Sequence, residues 1–484
     1  MQPLDYTVLI AYVGAMLGIG WMVSRTIGSF RDWFVASGTM TTPLLVCTLV
    51  STYYGLDVLF GGSELAYEEG VVAWFWYSRP YYFAILLTAL LLARRLKQRD
   101  FLSLPDIVAE RYGRGTQTIV ALASFVYSLP LLSIMGLGVL FDVMLGIPFV
   151  WGVLLGAGVA TIYTLMGGIM ADALTDTIQF VLMCVALAIA AIVVLGDTGG
   201  IDAMRASLPA EYFEPRGTYP LTVLLVYSLA ALSVLVEPAF YQRVFAAVSA
   251  RAVIAALLIG MALWAAFDWI VTVLGIGAAA QGLEVEGRYA LLEVVLPALP
   301  AGLAGLFVAS VLATAMSTID SYLLISGGNL AYDLYRPWRA RDIDDARLLR
   351  LTRYGVVGAS AVSVLFALFF ESMVAAWIFM ATVLVVTALI PVLAALYVPR
   401  LATRAAGIAS ALTGLGVAAL YSALVRGLGT HSAEWDTTIW RTSVLGADVA
   451  LWQEYAVIVA LPASLLAFAI GSLFGRRVGQ ENIR

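Results

Sequence analysis

Thirteen apolar stretches, each near the length a helix needs to cross a lipid bilayer, constrain this chain more than anything else in it. They are read at 5–24, 41–67, 71–93, 116–145, 147–166, 173–195, 219–241, 252–278, 302–328, 352–370, 373–398, 405–425 and 450–475. A chain that is 62% hydrophobic and 12% charged suits lipid as its solvent, whereas a soluble domain is about a quarter charged. A membrane β-barrel would show short alternating segments, and none is present. The expected fold class is all-α integral membrane, with about 13 transmembrane helices.

Lysine and arginine placement sets the orientation. With the N-terminus outside, 21 of the 27 basic residues fall in inner segments and 5 in outer ones. The C-terminus is then cytoplasmic. The N-terminus lacks a basic n-region and a small-residue cleavage site, so its first span is read as retained. The expected location is a bacterial-type inner (plasma) membrane, with lipid as surrounding partner. The net charge of -5 sits in loops, and no basic patch supports nucleic-acid binding. Cys47 and Cys184 lie in apolar segments and read as buried small hydrophobes. The single histidine, His431, lies in a polar loop, which argues against a His-based metal site or proton relay.

Two spans look interrupted. The first, 41–67, contains Tyr53-Tyr54-Gly55-Leu56-Asp57 and then Gly61-Gly62-Ser63-Glu64. The second, 219–241, runs into Glu237-Pro238. An acidic residue beside glycine or proline in mid-membrane is costly unless it serves a site. Breaks at corresponding places in two halves point to a binding site between inverted repeats, where freed carbonyls meet a cation. The division that follows is 1–40, an extra helix and inner loop; 41–195, a first five-helix repeat; 196–218, an outer loop; 219–398, a second repeat; and 399–484, two further helices and a tail.

Span 302–328 carries Thr314, Ser317, Thr318, Asp320 and Ser321 close together. Hydroxyls serve helix packing as well as ion binding. Packing does not explain Asp320, which calls for a cation or a proton. Asp176 follows the Gly167-Gly168 turn, with Asp172 one helical turn before it and Gln179 after it. Two readings of Asp176 stand: a helix-start carboxylate facing the positive helix end, or a second ion ligand.

Four motifs, in order, resemble the sodium/solute symporter family, whose members carry sugars, proline, pantothenate and choline. They are Phe60-Gly61-Gly62 with Ala66-Tyr67 and Gly70; Gly167-Gly168 with Thr175-Asp176-Thr177-Ile178-Gln179; Gln242-Arg243; and Ala315-Met316-Ser317-Thr318-Ile319-Asp320-Ser321. The opening Asp5-Tyr6 fits as well, so the resemblance covers nearly the whole chain. It implies a five-plus-five inverted-repeat core with two broken helices, one helix before it and two after. It implies a main sodium site formed by carbonyls of Ser51, Tyr54 and Thr314 and the hydroxyls of Ser317 and Thr318. Thr314 replaces the usual alanine, which a backbone ligand tolerates. It also implies a second sodium or proton site at Asp176, Asp320 and Ser321. Sodium is thus the expected coupling ion.

The resemblance places the solute between the two breaks and span 71–93, with Tyr53, Asp57, Glu64, Tyr77, Arg79 and Glu237 as candidates. Sugar-binding members are matched poorly here, with Glu237 where an asparagine is expected. Glu64 falls where choline-carrying relatives also have glutamate. Span 116–145 has no arginine for a carboxylate clamp of the kind found in sialic-acid transporters. Acids outnumber the lone Arg79, which favours an amine-bearing solute; Arg79 could pair with the carboxylate of a zwitterion, or internally with Glu64 or Glu237. Nearby aromatics, among them Trp74 and Trp76, could form a cation–π box. The expected function is sodium-coupled import of a small organic solute. Rival readings are a proton-coupled or sodium-independent carrier, and a membrane solute sensor with a transporter-like domain. No nucleophile–base–orienter set supports an enzyme.

Overall fold

The computed structural model describes residues 2–24, 29–166, 168–339, 342–370, 372–432, 437–444 and 447–481. Gly167 of the glycine turn and Arg25, Arg341 and Arg484 of the charge asymmetry lie outside the described residues.

The protein is mostly helical. Among the described residues nine helices are long and apolar enough to cross a membrane, and a tenth joins them if the bent pair Thr42–Tyr53 and Asp57–Glu69 counts as one span. Pro3–Ile19 and Phe149–Leu165 are shorter apolar helices. The stretch expected at 71–93 is helical, with wide π-type turns at Ala73–Ser78 and Thr88–Leu92.

The helices that build the centre are numbered here in chain order: α1 (Pro3–Ser24), α2 (Thr42–Tyr53), α3 (Asp57–Glu69), α4 (Phe149–Met166), α5 (Ile169–Asp197), α6 (Leu221–Ala230), α7 (Pro238–Ala246), α8 (Ala250–Ala280), α9 (Leu303–Gly328) and α10 (Asp345–Ala367). Both interruptions foreseen in the sequence are present as changes of backbone. Between α2 and α3 the axis bends by 54°. Tyr54 leaves the helical region there, at φ -87 and ψ 70. Between α6 and α7 the chain tightens into a 3-10 turn, Ala231–Val236. Glu237 is extended and Pro238 begins the next helix. A residue before proline is pushed out of the helical region, which explains the placement.

Three expectations need correction. The chain is not wholly helical. The loop expected at 426–449 carries a three-stranded antiparallel sheet, β1 (Thr430–Ser432), β2 (Thr437–Val444) and β3 (Ala447–Trp452), in the order β1-β2-β3. Ile439 pairs with both Thr430 and Trp452. The threonines, Ile439 and Trp440 of β2 are strand-forming residues that a helix-centred reading passes over. Second, span 116–145, long and apolar enough to cross as Arg114–Leu145, is interrupted between Tyr127 and Leu131, because Pro130 cannot supply the N–H that would continue the first helix. Third, Cys47 and Cys184 are half-buried rather than buried.

Helix α9 is buried along nearly its whole length. Its start is fixed from α1. Asp5 Oδ1 accepts hydrogen bonds from the Gly302 and Gly305 N–H groups at 2.7 and 2.9 Å. These are donors that a helix start leaves open. Its far end crosses α10 backbone to backbone. A Cβ on Gly355 would come within 3.0 Å of the Gly327 carbonyl oxygen.

Candidate ion and solute site

The end of α2 faces the middle of α9. Ser317 Oγ donates to the Ser51 carbonyl at 2.9 Å and to the Thr314 carbonyl at 3.1 Å. Thr318 Oγ1 donates to the Thr52 and Thr314 carbonyls, both at 3.1 Å. Ser51, Thr314, Ser317 and Thr318 are thus together, with Tyr54 at the bend beside them. Hydroxyls and carbonyls are the hard, weakly charged oxygens that sodium accepts, so the donor set fits that ion. Gly55 makes the approach possible. A Cβ there would overlap Asp57 Oδ1 and come within 3.0 Å of Thr318 Oγ1. Gly55→Ala is expected to cost about 1–3 kcal/mol through overpacking and to raise the sodium concentration for half-maximal uptake. Unchanged thermal stability and sodium dependence in that variant would contradict the contact.

One helical turn further on lies a buried ionic cluster. Arg243 is 1% exposed and pairs with Asp172 at 2.9 Å. The same Nη2 atom donates to Ser321 Oγ at 2.5 Å, Thr52 Oγ1 at 2.7 Å and Thr48 Oγ1 at 3.2 Å. Asp176 Oδ2 accepts from Thr48 at 2.5 Å and Thr52 at 3.3 Å. Asp320 instead accepts from Thr164 of α4 at 2.7 Å. Asp176 and Asp320 therefore do not converge on one point, whereas Thr52 Oγ1 lies 3.3 Å from Asp176 Oδ2 and 3.1 Å from Ser321 Oγ and links those two. Arg243, counted in the sequence as an inner-segment charge, is a core residue. Gln179 points elsewhere and donates to the Tyr12 hydroxyl at 3.1 Å.

Beside the bend is an aromatic cavity. Tyr53, Tyr81, Trp264, Tyr322 and Trp377 line it, together with Asp57 and Asp268. Tyr53 packs on Phe240, ring centroids 4.5 Å apart, and edge-on to Trp264 at 5.5 Å. Tyr77 also lines it and donates from its hydroxyl to the Asp57 carbonyl at 3.1 Å. Glu237 stands just behind, accepting from the Tyr322 hydroxyl at 3.0 Å.

Of the six expected solute residues, Tyr53, Asp57 and Tyr77 line this cavity and Glu237 touches its wall. Glu64 is buried on α3 away from it. Arg79 sits over the Phe75 ring at 5.0 Å and forms no ion pair with Glu64 or Glu237 among the described residues. Trp74 stacks on Trp269 and, like Trp76, does not line the cavity. The sequence reading missed Asp268, a lone acid in the middle of the 31-residue apolar helix α8. The rule that flagged Asp320 would have found it. Thr48 and Thr52 carried no such signal.

A family model described as the sodium:solute symporter family matches residues 33–414. The sodium/pantothenate symporter of Escherichia coli is 25% identical over 98% of this chain and 97% of its own. The high-affinity proline transporter of Bacillus subtilis is 28% identical over 56% of this chain and 60% of its own. A solved structure of a sodium-coupled sialic acid symporter, substrate-bound and outward-open, shares the fold at TM-score 0.77 with 17% identity over 98% of both chains. These relatives are transporters and not enzymes, and with the family model covering most of its length the chain belongs to the sodium:solute symporter family.

Proposed function

We propose that this protein is a sodium-coupled symporter that imports a small organic solute, amine-bearing or zwitterionic, by alternating access. The observation that carries the reading is the meeting of the Ser317 and Thr318 hydroxyls with the carbonyls of Ser51, Thr52 and Thr314, next to an aromatic cavity. Sodium held by Ser51, Tyr54, Thr314, Ser317 and Thr318 would tie α2 to α9 and favour solute binding beside it, and that coupling is reciprocal. Each sodium moving inward down 100 mV contributes about 2.3 kcal/mol. Sodium is here a co-substrate rather than a resident cofactor.

A second sodium or proton at Asp176, Asp320 and Ser321 belongs to the same proposal. The guanidinium already held by Ser321 and Thr52 argues for one sodium per cycle unless Arg243 moves. The architecture proposed with it has thirteen spans, with inverted five-helix repeats at 41–195 and 219–398. One helix and its following loop (1–40) precede the repeats, 196–218 links them and 399–484 follows. The N-terminus is outside and the C-terminus cytoplasmic, in a bacterial-type inner membrane. Solute contacts are assigned to Tyr53, Asp57, Tyr77 and Glu237, while Glu64 and Arg79, expected with them, lie outside the cavity lining.

In proteoliposomes, an inward sodium gradient is expected to drive solute accumulation and a matching potassium gradient is not. Equal uptake in sodium-free buffer would replace this reading with a proton-coupled or sodium-independent carrier. Sodium-stabilised solute binding without any uptake would favour the sensor.

A further inference from the structure

The two helix breaks place two half-helix N-termini, those of α3 and α7, at the centre of the molecule. Such ends carry partial positive charge and free N–H groups, and at transporter breaks they are the natural seats for an anionic group of the solute. Here the chain fills both itself. At the start of α3 the Val58 and Leu59 N–H groups already donate to the Gly55 carbonyl at 3.2 and 3.1 Å, and the Asp57 carboxylate lies back over Gly55. Glu237 accepts from the Ala239 N–H at 3.2 Å through Oε1. Neither end is left to receive a carboxylate from outside.

The rest of the cavity agrees in sign. Asp57 and Asp268 line it, and among the described residues no lysine, arginine or histidine does. Arg79 and Arg243 are engaged elsewhere. Arg79 lies over Phe75 and Trp76. Arg243 is held by Asp172, Ser321 and Thr52. Tyr53, Tyr81, Trp264 and Trp377 supply aromatic surface around the acids. Aromatic faces attract a cation, and more strongly where water is excluded. A carboxylate placed here would meet buried acids with no counter-charge, whereas a bare cation meets opposite charge and ring faces together.

We propose that the cavity takes an organic cation that bears no carboxylate, such as a quaternary ammonium compound or a diamine. This rests on the symport reading and narrows it by removing the zwitterion. Asp57 and Asp268 are the residues that set the specificity.

The test uses the purified full chain and matched pairs that differ by one carboxylate: choline and betaine, putrescine and ornithine, pyrrolidine and proline. Thermal unfolding is followed in sodium and in potassium buffer, with dissociation constants from the shift against ligand concentration. In sodium, at least one cation is expected to raise Tm and to bind at least tenfold more tightly than its carboxylated partner. The inference is overturned if the carboxylated member of a pair binds as well or better, or if no cation in the panel shifts Tm. The symport reading fails by a different result, namely that sodium alone leaves Tm the same as potassium does.

Discussion

Arg243→Ala is expected to lose about 3–5 kcal/mol of stability, the range for removing one partner of a buried ion pair. Asp172 is 5% exposed, and its Oδ2 accepts from Arg243 at 2.9 Å and Ser321 at 2.6 Å. Without the guanidinium, Asp172 and Asp176 are left as buried acids with no basic partner among the described residues. Thermal unfolding in detergent measures the loss. The double variant Arg243→Ala with Asp172→Ala should be more stable than the single one, because the uncompensated charge goes with its partner. A single variant that unfolds within 1 °C of wild type would show that the pair is not the staple it looks to be. An equally unstable double variant would assign the loss to packing.

Ser317→Ala and Thr318→Ala are expected to raise the sodium concentration for half-maximal uptake about tenfold each, or about 1.4 kcal/mol. Each hydroxyl lies against a carbonyl of the last turn of α2, Ser51 for one and Thr52 for the other. Its loss removes an oxygen ligand of the proposed sodium site and leaves a buried carbonyl without its donor. Maximal uptake at saturating sodium should fall much less. Thr318→Ser keeps the oxygen and should keep the sodium dependence. Unaltered half-saturation in both alanine variants would move the ion site away from α9.

Where burial is costly, the sequence was readable. Asp320, Asp176 and Glu237 stand out because an acid in an apolar run must have a reason to be there, and all three are buried. Both backbone breaks could be read from Gly55 and Pro238, since these residues act through local sterics. The grouping of those acids was not legible. Asp176 and Asp320 lie on different helices, and their side chains turn apart toward Thr48 and Thr164. No spacing rule along one chain decides which of several buried acids an arginine will choose, and Arg243 chose Asp172. Of the aromatic wall Tyr53 and Tyr77 were expected, but Tyr81, Trp264, Tyr322 and Trp377 were hidden, because an isolated aromatic in a membrane span has too many ordinary uses. The sheet was missed for the opposite reason. Its strands are short and sit among so many apolar helices that a window tuned to long runs blurs them.

The crossing of α9 and α10 bears on how such a molecule can move. At Gly327 and Gly355 there is no layer of side chains between the backbones. A joint of that kind has no teeth to ratchet over and no cushion to slide on. The two helices, with α1 clamped to the other end of α9 through Asp5, should travel as a single stiff strut. Opening and closing then fall to the interrupted segments, whose kinks at Gly55 and Glu237 are the compliant parts of the machine.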